Sequence, residues 1–209
     1  LARVLEQAGI GMGDIEAIGV GSGPGSFTGL RVGLATAKTL AAQRHLALVG
    51  LPTDALLRRA AAASLGAPRP AAAAVILPAG ARDHYLACPD SDPVLVPPDM
   101  DLLPMIGARP VVAVDVDGAA AWFGPVDAAA RANGWPGPIE LGQSAITDLP
   151  TAAMGLLDDL LARGDVADPA TLVPRYVALP RGIAPATAAA ADALDAAPGG
   201  EGTWSPGSR

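Results

Sequence analysis

The residues best placed to do chemistry lie in a glycine-rich segment at positions 21–33, GSGPGSFTGLRVG. Glycines permit positive φ and close backbone approach, and a glycine loop between a strand and a helix often binds phosphate. The usual phosphate fingerprints fail here. A P-loop requires Gly-Lys-Ser/Thr, whereas the nearest lysine is Lys38, and Gly21, Gly23 and Gly25 alternate instead of ending with two glycines three apart. Nucleotide binding therefore rests on loop shape alone.

A stripe of small residues follows on the predicted helix. Gly29, Gly33 and Ala37 recur every four residues and so lie on one face, although each glycine costs about 1 kcal/mol relative to alanine. Close approach of another helix or strand would compensate for this cost. Two interpretations remain open: the stripe packs on the chain's own sheet, or it contacts a partner. Arg31 lies in or near the first turn of the predicted helix, where a cation is disfavoured, and this favours an acidic partner or an interface, with a solvated arginine as the open alternative.

Metal-ligating residues are sparse in the sequence. His45 and His84 are the only histidines and lie too far apart for a zinc motif with helical spacing. They are interpreted as a helix-end residue and an ordinary strand residue. Asp115 and Asp117 offer a weak Mg²⁺ site, but such residues after a strand are more often turn formers.

Cys88 is the only cysteine, which excludes an internal disulfide framework and is compatible with a reducing cytosol. A nucleophilic role is conceivable, but the carboxylate of Asp90 would raise the pKa of the thiol. We interpret Cys88 as a structural thiol.

Composition limits the class of protein. The chain has 209 residues, 51% of them hydrophobic, and this is enough for one two-lobed domain or two small ones. Its net charge of −7 argues against direct binding to a nucleic-acid backbone. No apolar run approaches the roughly 20 residues that span a bilayer. We expect a cytoplasmic protein without membrane contact.

The elements that position these residues follow an alternating order. Hydrophobic spacing predicts an opening helix from Leu1, strands at 15–21 and 46–51, a helix from Ser26 or Thr28 to about Arg44, and a helix that Pro52-Thr53-Asp54 opens. This order predicts an α/β lobe with a mainly parallel sheet, residues 1–66.

A second lobe, residues 67–178, is expected after a linker at 67–70, where two prolines prevent helix or ladder continuation. Strands are predicted at 74–77, 85–88, 94–96 and 111–114. Pro150 and Gly164 bracket a predicted helix from Thr151 to Arg163. Residues 179–209 are rich in Ala, Pro, Gly and Ser and are predicted to be a disordered tail.

The run GPGSFTGLRVGLATAKTLA, Gly23 to Ala41, resembles the TsaB (YeaZ) family, and the flanking DIEAIGVGS and LALVGLPTDALL extend the resemblance. A weaker similarity lies at Pro174-Arg175-Tyr176. The resemblance implies the two-lobed ASKHA fold of Hsp70, actin and sugar kinases. It also implies a non-catalytic subunit that supports TsaD, which with the ATPase TsaE modifies adenosine 37 of tRNA to threonylcarbamoyladenosine, and that forms homodimers when alone.

Combined with the glycine stripe, the resemblance places a partner-binding surface on the loop and helix. Its residues are Gly25, Ser26, Phe27, Thr28, Gly29, Arg31, Gly33 and Ala37. No cofactor is expected, with a nucleotide at the lobe or subunit interface as the open alternative. An ASKHA-type phosphotransferase or a glycoprotease-like peptidase remains the alternative function, although no His pair with a carboxylate is present for metal-assisted peptidase chemistry.

The sequence departs from the family pattern in two places. The family begins with a strand that carries an Asp-Thr turn and a hairpin, roughly 50 residues in all, which this sequence lacks. We therefore expect an N-terminally truncated chain without the first strands of lobe one. The family also often has an Asp-Ala-Arg turn before a tyrosine, where this chain has LPAGARDHY, Leu77 to Tyr85.

Overall fold

The computed structural model describes residues 1–65, 70–79, 83–97, 100–107, 109–114, 132, 139–141 and 143–177. Residues Leu1–Ala178 form one compact unit. The candidate Mg²⁺ ligands Asp115 and Asp117, the loop residues 80–82 and the predicted disordered tail all lie outside the described residues.

The first half of the chain builds a parallel pair of strands with helices packed on it. Its elements are α1 (Ala2–Ala8), β1 (Ala17–Gly23), α2 (Phe27–Arg44), β2 (Ala47–Pro52) and α3 (Thr53–Leu65). Helix α2 crosses over between β1 and β2, as a parallel connection requires. Ala37 and Ala41 of α2 pack with Leu48 of β2 in a small core.

Local chemistry explains the ends of α2. The Ser26 hydroxyl oxygen accepts a hydrogen bond from the Gly29 backbone N–H at 3.3 Å, which confirms Ser26 as the N-cap. The helix ends at His45, whose left-handed backbone (φ 56°) lets its N–H donate to the Ala41 carbonyl. His45 is therefore the helix-end residue that the sequence predicted.

The second half builds a five-stranded mixed sheet with the order β5-β4-β3-β6-β7. Its strands are β3 (Ala74–Pro78), β4 (His84–Ala87), β5 (Val94–Val96), β6 (Val111–Val114) and β7 (Ile139–Leu141). Strand β3 pairs antiparallel with β4 and parallel with β6, and β6 pairs parallel with β7. A short helix, α4 (Leu103–Ile106), packs Ile106 on one face of this sheet.

Helix α3 joins the two halves. Leu57 and Ala61 pack against β3 of the five-stranded sheet. Ala55 and Leu56 contact the core that β2 shares with helix α5 (Gln143–Ala162), which includes Leu157. Each sheet therefore buries apolar side chains against helices, as a layered α/β domain requires.

Most of the predicted elements agree with the structure to within two or three residues. The predicted start of the last helix was wrong: α5 begins at Gln143 instead of Thr151, and Pro150 lies inside it. Proline lacks an N–H and is disfavoured inside helices, which is why the sequence indicated a later start. Helix α4 and strand β7 were not predicted. Among the described residues, no helix has the length and hydropathy needed to cross a membrane.

Candidate partner-binding surface

The glycine loop carries the chain from the end of β1 to the start of α2. Gly23 adopts φ +102°, and a Cβ built there would lie 2.9 Å from the Arg175 carbonyl oxygen. Both facts require glycine at this position. The next peptide bond, Gly23–Pro24, is cis, and Pro24 is buried. Ser22 accepts a backbone hydrogen bond from Arg175 at 2.7 Å, so the loop is packed on a distant segment.

Arg31 lies in the second turn of α2 and belongs to an exposed aromatic cluster. Its Nε donates to the Tyr176 hydroxyl at 2.9 Å. Its guanidinium lies 4.0 Å from the centre of the Phe27 ring and 5.9 Å from that of Tyr176. The two rings are 5.2 Å apart and tilted by 37°. Cation–π contacts of this kind hold an arginine in one orientation at modest energy.

Tyr176 belongs to a segment that we call the strap, residues 166–176, which follows α5 without regular structure. The strap runs over the first half of the chain. The Ala167 N–H donates to the Leu48 carbonyl at 2.7 Å, and Lys38 Nζ donates to the Leu172 carbonyl at 3.0 Å. The strap therefore contacts both β2 and α2, and it meets α2 along the face that carries Lys38 and Arg31.

The structure divides the stripe of small residues. Gly29 is exposed. Gly33 is half-buried, and a Cβ there would lie 3.8 Å from Val20 Cγ2 of β1. Ala37 is only 6% exposed and packs in the core. The C-terminal part of the stripe thus faces the chain's own sheet, and Ala37 is a core residue in this chain.

The other residues predicted for the surface lie near the start of α2. Ser26 and Thr28 are exposed, whereas Gly25 and Phe27 are half-buried. Arg31 is exposed, and the neighbouring Val32 is 62% exposed. The structure therefore brings together the loop and the first two turns of α2 as one accessible surface. The contribution of Tyr176 was not predicted, because it lies 145 residues from Arg31 in the sequence.

A second arginine, Arg58 of α3, is buried, and each of its three guanidinium nitrogens donates a hydrogen bond to another residue of the chain. Its Nη1 donates to Asp54 Oδ2 at 2.7 Å, its Nε to the Ala73 carbonyl at 2.7 Å, and its Nη2 to the Ala87 carbonyl at 2.9 Å. Ala73 directly precedes β3 and Ala87 ends β4, so this junction ties α3 to the five-stranded sheet. The i,i+4 spacing of Asp54 and Arg58 is the sequence signal that predicts such a pair on a helix.

Arg175 links the strap to this junction. Its Nη1 lies 3.7 Å from Asp54 Oδ1, and its Nη2 lies 2.8 Å from Asp92 Oδ1. Asp54 is buried, whereas the Asp92 side chain is 96% exposed. Arg175 therefore lies between a buried carboxylate, Asp54, and an exposed one, Asp92.

Burial governs the titration of the candidate nucleophile and of the candidate metal ligand. Burial raises the pKa of the Cys88 thiol; Arg109 and Arg58 lower it, and Asp90 raises it further. The direction agrees with the sequence argument, but burial is a larger cause than Asp90. Burial also lowers the pKa of His84, against an opposing effect of Asp83.

Among the described residues, no three His, Cys, Asp or Glu side chains come together as metal ligands.

Comparison with known proteins finds similarity to two families of tRNA-modification proteins. Residues 1–91 match the family of TsaD, tRNA N6-adenosine threonylcarbamoyltransferase. A segment of 70 residues is 39% identical to the tRNA threonylcarbamoyladenosine biosynthesis protein TsaB of Escherichia coli K12, and covers 34% of this chain and 30% of that protein. This match agrees with the resemblance to TsaB that the sequence indicated.

Solved structures are similar to this chain at the level of fold. YeaZ from Pseudomonas aeruginosa superposes with a TM-score of 0.62 at 22% identity, over 84% of this chain and 81% of that one. A P. aeruginosa protein described as similar to peptidase YeaZ gives a TM-score of 0.63 at 21% identity, over 85% and 80%. The fold is therefore that of YeaZ, and the expected α/β fold is confirmed.

A TsaD relative also matches part of the chain. The tRNA N6-adenosine threonylcarbamoyltransferase of Methylobacterium sp. 4-46 is 52% identical over 40 residues, which cover 19% of this chain and 12% of that protein. The matched segment covers less than a third of the length of each curated relative described here. Both TsaB and TsaD thus share sequence features with this chain, and the TsaD family match lies in its N-terminal part.

Proposed function

We propose that this chain is a non-catalytic partner subunit of TsaD in the biosynthesis of threonylcarbamoyladenosine in tRNA, and that it acts in the cytoplasm. The observation that carries the proposal is the segment at positions 23–41, which resembles TsaB in sequence and forms the glycine loop and most of α2, with Gly29, Arg31 and Val32 exposed to solvent. A helix start with exposed Gly29, Arg31 and Val32 suits protein–protein contact, since small and apolar residues let another helix approach closely.

The charge of the chain supports a scaffolding role in a complex that modifies tRNA. The net charge is −7, and a protein that grips a phosphate backbone itself would be expected to carry a basic face. In this proposal TsaD and the ATPase TsaE complete the complex, TsaD performs the transfer, and the chain forms a homodimer through the same surface when TsaD is absent.

A second candidate is that the chain itself transfers the threonylcarbamoyl group, as the match of residues 1–91 to the TsaD family favours. Metal-assisted catalysis would require ligands that converge, and the described residues bring no three His, Cys, Asp or Glu side chains together.

Reconstitution tests the proposal. The chain, TsaD, TsaE, threonylcarbamoyl-AMP and unmodified tRNA from the same organism are combined, and modified adenosine is measured by mass spectrometry with each protein omitted in turn. We expect modification only when both TsaD and this chain are present, and a TsaD complex in size-exclusion chromatography. Modification by the chain without TsaD would favour the second candidate, and absence of any TsaD complex would refute the proposal.

A further inference from the structure

The Arg31 side chain is held in place, but only one of its guanidinium nitrogens donates a hydrogen bond to the described residues. Its Nε donates to Tyr176 and its guanidinium stacks on Phe27. Its Nη1 and Nη2 atoms make no hydrogen bond or ion pair with any residue that the structure describes. Two aromatic contacts and one hydrogen bond restrict the side chain in advance, so little conformational entropy remains to be lost when these two groups bind something.

Helix α2 has an unusual charge for this chain. Its 18 residues include the three cations Arg31, Lys38 and Arg44 and no Asp or Glu, whereas the whole chain has 21 acidic and 14 basic residues. Lys38 already donates to the Leu172 carbonyl on the strap. Arg31 is therefore the cation at the accessible start of α2 on an acidic chain, and its complement is an anionic group on the partner.

Exposed apolar side chains flank the cluster on both of its elements. Val32 is the next residue on α2 and is 62% exposed, while Val173 on the strap is 68% exposed. Tyr176 itself is 39% exposed. An arginine fixed on aromatic rings, next to exposed apolar side chains, has the composition that protein interfaces favour at their strongest contacts.

We propose that Arg31 is the anchor of the TsaD interface, where it binds a carboxylate of TsaD through Nη1 and Nη2, and that the strap supplies Tyr176 to position it. The inference rests on the proposed function and adds the chemistry of the contact. A carboxylate fits because a guanidinium presents two parallel N–H donors that match its two oxygens. The docking surface is thus composite, built from α2 and from a segment that ends 145 residues later in sequence.

Charge reversal tests the anchor. Arg31→Glu should weaken binding to TsaD at least tenfold, which corresponds to about 1.4 kcal/mol. The affinity of Arg31→Lys for TsaD should lie between those of the unmodified chain and of Arg31→Glu, because lysine keeps the positive charge but loses the two parallel donors. Arg44→Glu is the matched control, since it changes the net charge equally at the other end of the same helix. Thermal unfolding of all variants checks that the fold is unchanged.

Tyr176→Phe tests the positioning role. It keeps the ring on Phe27 and removes the oxygen that accepts from Arg31 Nε. We expect a two- to fivefold loss of affinity for TsaD in the unmodified background and no further loss in the Arg31→Glu background. Equal losses in both backgrounds would show that Tyr176 acts independently of Arg31 and would overturn the positioning role.

Charge swapping identifies the carboxylate of TsaD that binds Arg31. Acidic residues of TsaD are changed to lysine one at a time, and one of these variants should restore binding to the Arg31→Glu chain. Failure of every such TsaD variant would overturn the inference. The inference would also be overturned if Arg31→Glu and Arg44→Glu weakened TsaD binding equally. It would be overturned as well if Arg31→Glu lost self-association but kept its affinity for TsaD. If the unmodified chain does not bind TsaD, the proposed function fails together with the inference; if it binds and Arg31→Glu binds equally well, only the inference fails.

Discussion

Arg58 and Arg31 both carry a guanidinium on a helix, yet their surroundings differ in every respect. The Arg58 group is buried, and all three of its nitrogens donate to acceptors of the chain itself. The Arg31 group is exposed and rests on aromatic rings, and among the described residues only its Nε donates a hydrogen bond. The difference shows how an arginine that holds a fold together can be told from one available for binding: the number of its donors that the chain already satisfies.

The largest expected effect lies at the buried arginine. Arg58→Ala removes the partner of the buried Asp54 carboxylate and leaves the Ala73 and Ala87 carbonyls without their donor. Breaking a buried pair in this way costs about 3–5 kcal/mol of unfolding free energy. Denaturant unfolding should show this loss, with the five-stranded sheet affected through α3.

The neighbouring Arg59 provides the control for this prediction. Arg59 pairs with Asp159 of α5, and both side chains are largely exposed, at 40% and 57%. Arg59→Ala should therefore cost about 1 kcal/mol or less, as exposed pairs do. Equal losses for the two variants would mean that burial does not separate the two kinds of arginine site.

A second prediction concerns Gly33, which lies between the core side and the accessible side of α2. Gly33→Ala should stabilise the fold by up to about 1 kcal/mol, because the new Cβ would meet Val20 at an ordinary 3.8 Å. Gly33→Leu should instead press on β1, where overpacking costs about 1–3 kcal/mol. A leucine variant as stable as the alanine variant would place Gly33 on the accessible side. Thermal unfolding and TsaD affinity on the same samples decide.

A third and smaller effect is expected at Arg175, which lies on the strap between the two regions. Arg175→Met should lower the free energy of unfolding by about 1 kcal/mol, since Asp54 Oδ1 loses a charged neighbour at 3.7 Å. Asp92→Ala, which removes only the exposed partner of Arg175, should leave stability unchanged. A larger effect at Asp92 than at Arg175 would contradict a link between the strap and the buried junction.

The smallest expected effect concerns reactivity. Because burial raises the pKa of Cys88, less thiolate is present at a given pH, and iodoacetamide should modify the folded chain more slowly than a free cysteine at pH 8. Unfolding in denaturant should restore the ordinary rate. Fast labelling of the folded chain would show that Cys88 is accessible and would reopen its role as a nucleophile.

The sequence alone determined the local structure and indicated the resemblance to TsaB. Hydrophobic spacing, the Ser26 cap and the turn residues set most of the helices and strands to within a few residues, because these signals act between neighbours in the chain. The run from Gly23 to Ala41 was sufficient to indicate TsaB. The start of α5 was beyond these signals, since tertiary packing holds Pro150 inside a helix that its own preference would end.

Only the tertiary structure decided what each side of α2 faces. The repeat of Gly29, Gly33 and Ala37 fitted a stripe for the core and a stripe for a partner equally well, because helical spacing places residues on a face without saying what covers it. Packing buried Ala37 against β2 and left Gly29 open. Likewise, the Arg31–Tyr176 contact joins residues 145 positions apart, and folding of the strap onto α2 brings them together.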